Sequence, residues 1–258
     1  MADTAKTPPP PKKATHKSSA SSKRRLWTIL IIAGVAAIIV AGGLIFVSQR
    51  DSSSTSGASA ADVAAGKLKD VKQVKSFFDG VPQSGNTLGD PNAPVTVTEF
   101  GDLRCPVCKD FAANTANPMI GTFVKTGKVK FVYRIWPILG PDSVSAAQCG
   151  IAAQQQNQLF QYQDLWYINQ QDETTEYATP AFCDGIAKAL GLNLTQFEQD
   201  RVDEALWTPE VQDVQVIAAQ ESFGGTPSFI VEGPGGTKVL TGSLPDIKAM
   251  TDAIKSVQ

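Results

Sequence analysis

Between Pro94 and Phe100 the chain alternates strictly, with Val95, Val97 and Glu99 on one face and Thr96, Thr98 and Phe100 on the other. That is the period-two pattern of a half-buried strand. Glu99 thereby falls on the apolar face, where a carboxylate is expensive to bury. Either that end of the strand is wet, or the acid is buried and its pKa raised. A helical stretch follows from Pro106 to about Lys125, and Lys128 to Leu139 reads as a second, largely buried strand. From Pro141 to Phe223 the pattern is helical throughout. It predicts helices over Ser143 to Gln155 and Leu159 to Gln170, and a third opened by Thr179-Pro180 and closed at Gly191. Asn193 caps a short fourth, and Thr208-Pro209 opens a fifth that ends before Gly224-Gly225. Two short strands, Ser228 to Glu232 and Lys238 to Thr241, flank the turn Gly233-Pro234-Gly235-Gly236, and Pro245 to Val257 is a final helix. Upstream, Val63 to Phe78 carries apolar residues at helical spacing, and Gly80 to Pro94 is turn-rich.

The other strong hydrophobic signal is Leu26 to Val47, 22 residues without a charge. As a helix it spans roughly 33 Å, enough to cross a hydrocarbon core of about 30 Å. Trp27 sits where an interfacial aromatic belongs. A cleavable signal peptide is the rival, with an apolar region of roughly 7–15 residues and a small-residue cleavage site close behind. Ala58-Ser59-Ala60 resembles such a site but lies more than ten residues beyond the run, which favours an uncleaved anchor. Residues 1–25 carry seven Lys or Arg against Asp3, so the positive-inside rule leaves the N-terminus in the cytoplasm and the rest outside. The chain as a whole has a formal net charge of −2. The part beyond the basic tail is therefore acidic, which argues against a nucleic-acid surface. The expected layout is a disordered basic cytoplasmic tail (1–25), a transmembrane anchor (26–47), an extracytoplasmic linker with a short helix (48–84), and one folded domain (85–258) with a helical insertion at about 141–223.

All four cysteines follow the apolar run. An even count outside the cytosol fits disulfide chemistry, because cytosolic thiols are kept reduced. Cys105-Pro106-Val107-Cys108 suits three chemistries: a redox pair, half of a zinc site, or a short structural bridge. Zinc fits poorly. The lone histidine is His16 in the tail, and Cys149 and Cys183 form no second short-spaced pair, so neither a metal nor a cofactor is expected. The redox reading gains from position. Cys105 stands at a helix N-terminus, where unpaired N–H groups and the helix dipole stabilise a thiolate. Cys108 lies one turn inside and is shielded, so one sulfur is the exposed nucleophile and the other resolves the mixed disulfide.

Strand, CxxC, helix, strand, helical insertion, Gly224-Gly225-Thr226-Pro227, hairpin and helix follow one another in that order. The order resembles an α/β thioredoxin-like fold with an inserted all-α subdomain, as in DsbA-like thiol:disulfide oxidoreductases, here preceded by one N-terminal transmembrane helix. The matching residues are Pro94 to Asp102 before Cys-Pro-Val-Cys, and Gly224 to Phe229 after the insertion. The resemblance implies that Cys105 and Cys108 are catalytic and that Thr226-Pro227 is cis against Cys105. It also implies that Thr226 offers its backbone to an extended substrate, and that Glu99 is a buried acid moving protons for the resolving cysteine. Some members carry a second disulfide in the insertion, which Cys149 and Cys183 would form; the alternative is two buried free thiols.

Strongly oxidising members have a histidine between the cysteines, whereas here it is Val107. A less stabilised thiolate and a potential between about −270 mV and about −120 mV follow as expectations. The implied function is introduction of disulfides into exported proteins by a single-pass protein of the bacterial cell membrane. Reduced or unfolded exported proteins would be its substrates, and a quinone-linked DsbB- or VKOR-type membrane protein would re-oxidise it. A reductase or isomerase of the same fold, and a non-catalytic binding module with an unreactive Cys105, are the rivals.

Overall fold

Asp70, held in the left-handed region at φ 59°, and Gly66 at φ 76° break the N-terminal apolar run. Where one helix is expected, the chain makes α1 (Ala60–Ala64) and α2 (Val71–Phe78). The break lets two different surfaces be buried. Val63 sinks against Gly185 of the insertion, whose missing side chain admits the Val63 carbonyl, and Val74 and Phe78 reach the main core. Ala58 is itself tied down by Asn169 and Gln171. The computed structural model describes residues 58–258, all in one compact unit. The expected membrane span Leu26 to Val47, the basic tail and most of the tether lie outside the described residues. Among the described residues no helix is long and apolar enough to cross a membrane.

The turn-rich stretch after α2 contains a small hairpin, β1 (Gln83–Ser84) and β2 (Thr87–Leu88). Gly85 at φ 58° makes its tight turn, and fully buried Leu88 anchors it opposite Phe131. The alternating segment becomes β3 (Val95–Gly101), and β4 (Val129–Ile135) follows. Ser228 onward forms β5 (Ser228–Gly233) and β6 (Gly236–Leu240), closed by a two-residue turn at Pro234-Gly235. The sheet runs β1-β2-β4-β3-β5-β6, with β3 central, parallel to β4 and antiparallel to β5.

Between β3 and β4 runs α3 (Pro106–Phe111), which continues through π turns at Ala112–Ala116 and Ile120–Val124 with Asn117–Met119 between them. Pro118 cannot donate into the helix and its ring crowds the preceding turn, and the widened turns on either side absorb the mismatch. The insertion comprises α4 (Pro141–Gln155), α5 (Leu159–Ile168), α6 (Pro180–Leu190), α7 (Leu194–Val202) and α8 (Glu204–Gln220). α8 begins four residues before the expected Thr208-Pro209, because the Asp203 carboxylate accepts from Ala205 N–H at 2.9 Å and caps it there. Pro209 then lies within the helix and forgoes one backbone bond. α9 (Ile247–Ser256) closes the chain, capped by Asp246.

Inside the insertion Cys149 on α4 and Cys183 on α6 are joined, with Sγ–Sγ 2.13 Å and Cα–Cα 6.0 Å. Around them Tyr162, Trp166, Tyr177, Phe182 and Phe197 form an aromatic core. Arg104 ties this subdomain to the sheet. Its guanidinium pairs with Asp142 at 2.8 Å, donates to the carbonyls of Glu173 and Thr175 at 2.7 and 2.5 Å, and lies over the Tyr177 ring.

Candidate active site

β3 ends by delivering the chain into a buried turn built on Asp102. One carboxylate oxygen of Asp102 accepts from Arg104 N–H at 2.8 Å. The other accepts from Ile138 N–H, Leu139 N–H and the Ser143 hydroxyl, at 2.9, 3.3 and 2.7 Å. The Asp102 carbonyl accepts from Cys105 N–H at 3.0 Å. This frame sets Cys105 at the N-cap of α3 with Pro106 in the first turn, where a missing N–H costs nothing. Gln170 from the insertion closes the loop from behind, donating to the Leu103 and Cys105 carbonyls at 2.9 and 3.2 Å.

Across from α3, the Cys105 thiol donates to the Thr226 carbonyl at 3.5 Å. The Thr226-Pro227 bond is cis. A shallow cavity of about 250 Å³ opens here, lined by Val107, Gly224, Thr226, Pro227, Ser243 and Leu244, with Val107 and Leu244 exposed. Cys108, one turn into the helix, is completely buried. Glu99, on the strand leading into the dithiol, and the distant Thr226-Pro227 pair both converge on it, as expected. Cys149 and Cys183 belong to the insertion.

The two thiols titrate in opposite directions. Cys105 is pulled down from 9.0 to about 6, first by the hydrogen bond from the Cys108 thiol, against burial, and then by the Thr226 side chain and the N–H groups of Cys108 and Val107. Burial pushes Cys108 well up, and the charges of Glu99 and Cys105 add to it. Glu99 is fully buried with neither carboxyl oxygen hydrogen-bonded among the described residues. Burial, then the Cys105 charge, raises it well above the usual carboxylate value. Cys105 is itself only 5% exposed, not the exposed nucleophile expected from the sequence, because the Thr226-Pro227 segment packs over it. At neutral pH the arrangement holds one ready thiolate beside the Thr226 carbonyl and one protonated thiol beneath it, with a carboxyl that can exchange a proton.

Alkylation of reduced Cys105 by iodoacetamide is accordingly expected to rise with pH through a midpoint near 6. The depressed thiol stabilises the reduced fold above its unfolded value of 9.0, and that contribution is lost as pH falls through about 6. A midpoint at 8 or above would contradict this geometry.

Sequence reasoning did not find Asp102 as a frame, Arg104, Gln170, or the Tyr133 and Tyr167 hydroxyls beside Glu99. Each acts through a partner at least 34 residues away, apart from the local contacts of Asp102 with Arg104 and Cys105. Among the described residues no group of three or more His, Cys, Asp or Glu is placed to hold a metal.

The thioredoxin family model matches residues 83–254. The chain is 30% identical over 151 residues to the probable disulfide bond formation protein D of Bacillus cereus, covering 57% of this chain and 69% of that one. Among solved structures, a thioredoxin-like oxidoreductase from Silicibacter pomeroyi aligns with TM-score 0.55 at 29% identity, over 70% of this chain and 95% of that one. Oxidised BdbD from Bacillus subtilis aligns with TM-score 0.59 at 23% identity, over 68% and 95% of the two chains, a likeness of fold.

Proposed function

Because the chain belongs to the thioredoxin family, as a DsbA-like protein-disulfide oxidoreductase, we propose that it introduces disulfides into exported proteins outside the cytoplasm, through Cys105 and Cys108. The carrying observation is the split between the two sulfurs. Cys105 is at a helix N-terminus beside an open groove and is held as a thiolate, while Cys108 is sealed beneath it.

In the oxidised enzyme a substrate thiolate attacks Cys105 Sγ. The Cys105–Cys108 bond breaks, and Cys108 leaves as a thiolate that takes a proton from Glu99. A second substrate thiolate then attacks the substrate sulfur of the mixed disulfide. The substrate disulfide forms, and Cys105 leaves as a stabilised thiolate. Thr226, whose carbonyl faces Cys105, is suited to pair with an extended substrate backbone. Re-oxidation reverses the flow. The Cys105 thiolate attacks a disulfide of a quinone-linked membrane protein of DsbB or VKOR type, and Cys108, deprotonated by Glu99, displaces it.

The apolar run 26–47 with its basic flank supports a membrane anchor with the catalytic domain outside. The Cys149–Cys183 bridge supports an oxidising compartment. A Cys105 pKa of about 6 falls between values of about 7 and about 3.5 for reducing and strongly oxidising relatives. An intermediate potential, between about −270 and −120 mV, follows. The test is that potential, by equilibration with glutathione, together with oxidative refolding of a reduced substrate. A value above about −200 mV with refolding lost in Cys105→Ser supports the oxidase. A value near −270 mV without oxidative activity overturns it in favour of a reductase.

A further inference from the structure

Glu99 is the least satisfied polar side chain in the site, and its surroundings show how its charge can be accommodated. In the parallel pairing of β3 with β4, Glu99 stands beside Tyr133. Gly101, two residues along the same strand, has no side chain. A Cβ there would lie 2.8 Å from Tyr133 Oη and 3.0 Å from Glu99 Oε1. Phenol and carboxyl thus flank one point, with no hydrogen bond between them in this state among the described residues. Tyr133 Oη lies 2.9 Å from Tyr167 Oη, and the Tyr167 hydroxyl donates to the Asp102 carbonyl at 3.2 Å. All of these groups are buried.

Two hydroxyls in series ending on a carbonyl have two settings. In one, Tyr167 donates to the Asp102 carbonyl and Tyr133 donates to Tyr167, so the Tyr133 oxygen is free to accept from a protonated Glu99. In the other, Tyr167 turns to donate to Tyr133, and Tyr133 donates to an ionised Glu99. We propose that Tyr133 and Tyr167 are positioning residues for the dithiol reaction, turning over their hydroxyls so that Glu99 is held both as an acid and as a carboxylate. The inference rests on Glu99 exchanging protons with Cys108 as described above, since that role needs both forms. With Cys105 in a mixed disulfide, Cys108 passes its proton to the Glu99 carboxylate and attacks Cys105 Sγ. The Cys105–Cys108 bond forms, and the outgoing sulfur leaves as a thiolate. Without a donor the carboxylate is orphaned in the core, and the base is weakly populated.

The titratable groups facing Glu99 are Cys105 and Cys108 on the α3 side, Tyr133 on β4, Tyr167 on α5 and, beyond Tyr133, Asp102. Phe229, its neighbour across β5, carries no charge. A core-filling role for the tyrosines would leave the proton chemistry unchanged, and that is the distinction to test.

The reduced domain is mixed with Ellman's reagent at a series of pH values. The first release of thionitrobenzoate reports attack by Cys105, and the second reports attack by Cys108 on the mixed disulfide. In Tyr133→Phe the midpoint of the second phase is expected to move up by about one pH unit, with about tenfold slower release at neutral pH, the effect of losing one hydrogen bond to an ionised group. The first phase keeps its profile. Tyr167→Phe moves the second phase in the same direction by less, and carries the test if Tyr133→Phe does not fold. A second-phase midpoint unchanged in both variants overturns the inference, even if rates or melting temperatures fall. Glu99→Gln separates the two readings. If it abolishes the pH dependence while the tyrosine variants leave it in place, only the tyrosine role fails. If the Glu99→Gln profile matches the parent, the Glu99 reading fails with it.

Discussion

Glu99→Gln is expected to slow the attack of Cys108 on a Cys105 mixed disulfide by about a hundredfold, the lower end of what a positioned general base contributes. Cys108 is completely buried and its thiol is pushed well up, so without a base its thiolate is scarce. Glu99 is poised for the task because burial raises its own pKa well above 4.5, which narrows the gap across which the proton moves. The same substitution should stabilise the fold. A carboxyl whose folded value is raised binds its proton more tightly in the native state than in the unfolded chain. Stability therefore declines as pH rises above the unfolded value, near 4.5. Glutamine has no proton to lose, so the variant should melt higher than the parent at pH 7, and the difference should vanish below about pH 4.5. Stopped-flow release of an aryl thiol and melting curves at both pH values check the two halves. A resolving step within threefold of the parent would falsify the role of Glu99, and a melting difference independent of pH would show that its burial is not the source of strain. The site then trades stability for reactivity at one residue, as functional sites commonly do.

The second large effect is expected far from the dithiol. Cys149 and Cys183 are 34 residues apart and are bonded across two insertion helices. Closing a loop of about 35 residues constrains the unfolded chain by nearly 4 kcal/mol in the chain-entropy model. For a domain of this size that corresponds to a fall of about 10 °C in melting temperature when both are replaced by alanine. Both cysteines are buried in the insertion, so the alanines also lose packing. At 25 °C the variant should still alkylate at Cys105 with an unchanged midpoint, since the insertion reaches the dithiol loop through Ser143, Tyr167, Gln170 and the groups that hold Arg104 rather than through the bridge. The melting temperature of the double variant, compared with that of the parent before and after full reduction, decides it. A loss of under 3 °C would mean that the helices hold one another without the bond. An altered Cys105 midpoint would mean that the bridge reaches the active site.

Local pattern carried much of this protein. Strict alternation over Pro94 to Phe100 makes β3 and puts Glu99 on its buried face, because side-chain direction in a strand depends only on parity. Cys105 before Pro106 marks a helix start, and Thr179-Pro180 and Asn193 mark two others, because capping is decided by neighbouring residues. What parity could not supply is the register that sets Glu99 beside Tyr133, since pairing with β4 is decided across the sheet. Nor could it show that the apolar run Val63 to Phe78 breaks at Gly66 and Asp70, because only the packing of Val63 on Gly185 makes a bent chain better than a continuous helix. The capping rule itself misplaced the start of α8, where Asp203 outcompeted Thr208-Pro209. The sequence by itself determined the four longer strands, most of the helix starts and the dithiol, all properties of neighbouring residues, but not the β1-β2 hairpin, the break before α2 or whether Glu99 is buried. Only the tertiary structure decided what surrounds them: the Asp102 frame, the Arg104 and Gln170 ties, and the tyrosine pair facing Glu99. Those contacts join segments brought together by burial, and no spacing along the chain encodes which of them will meet.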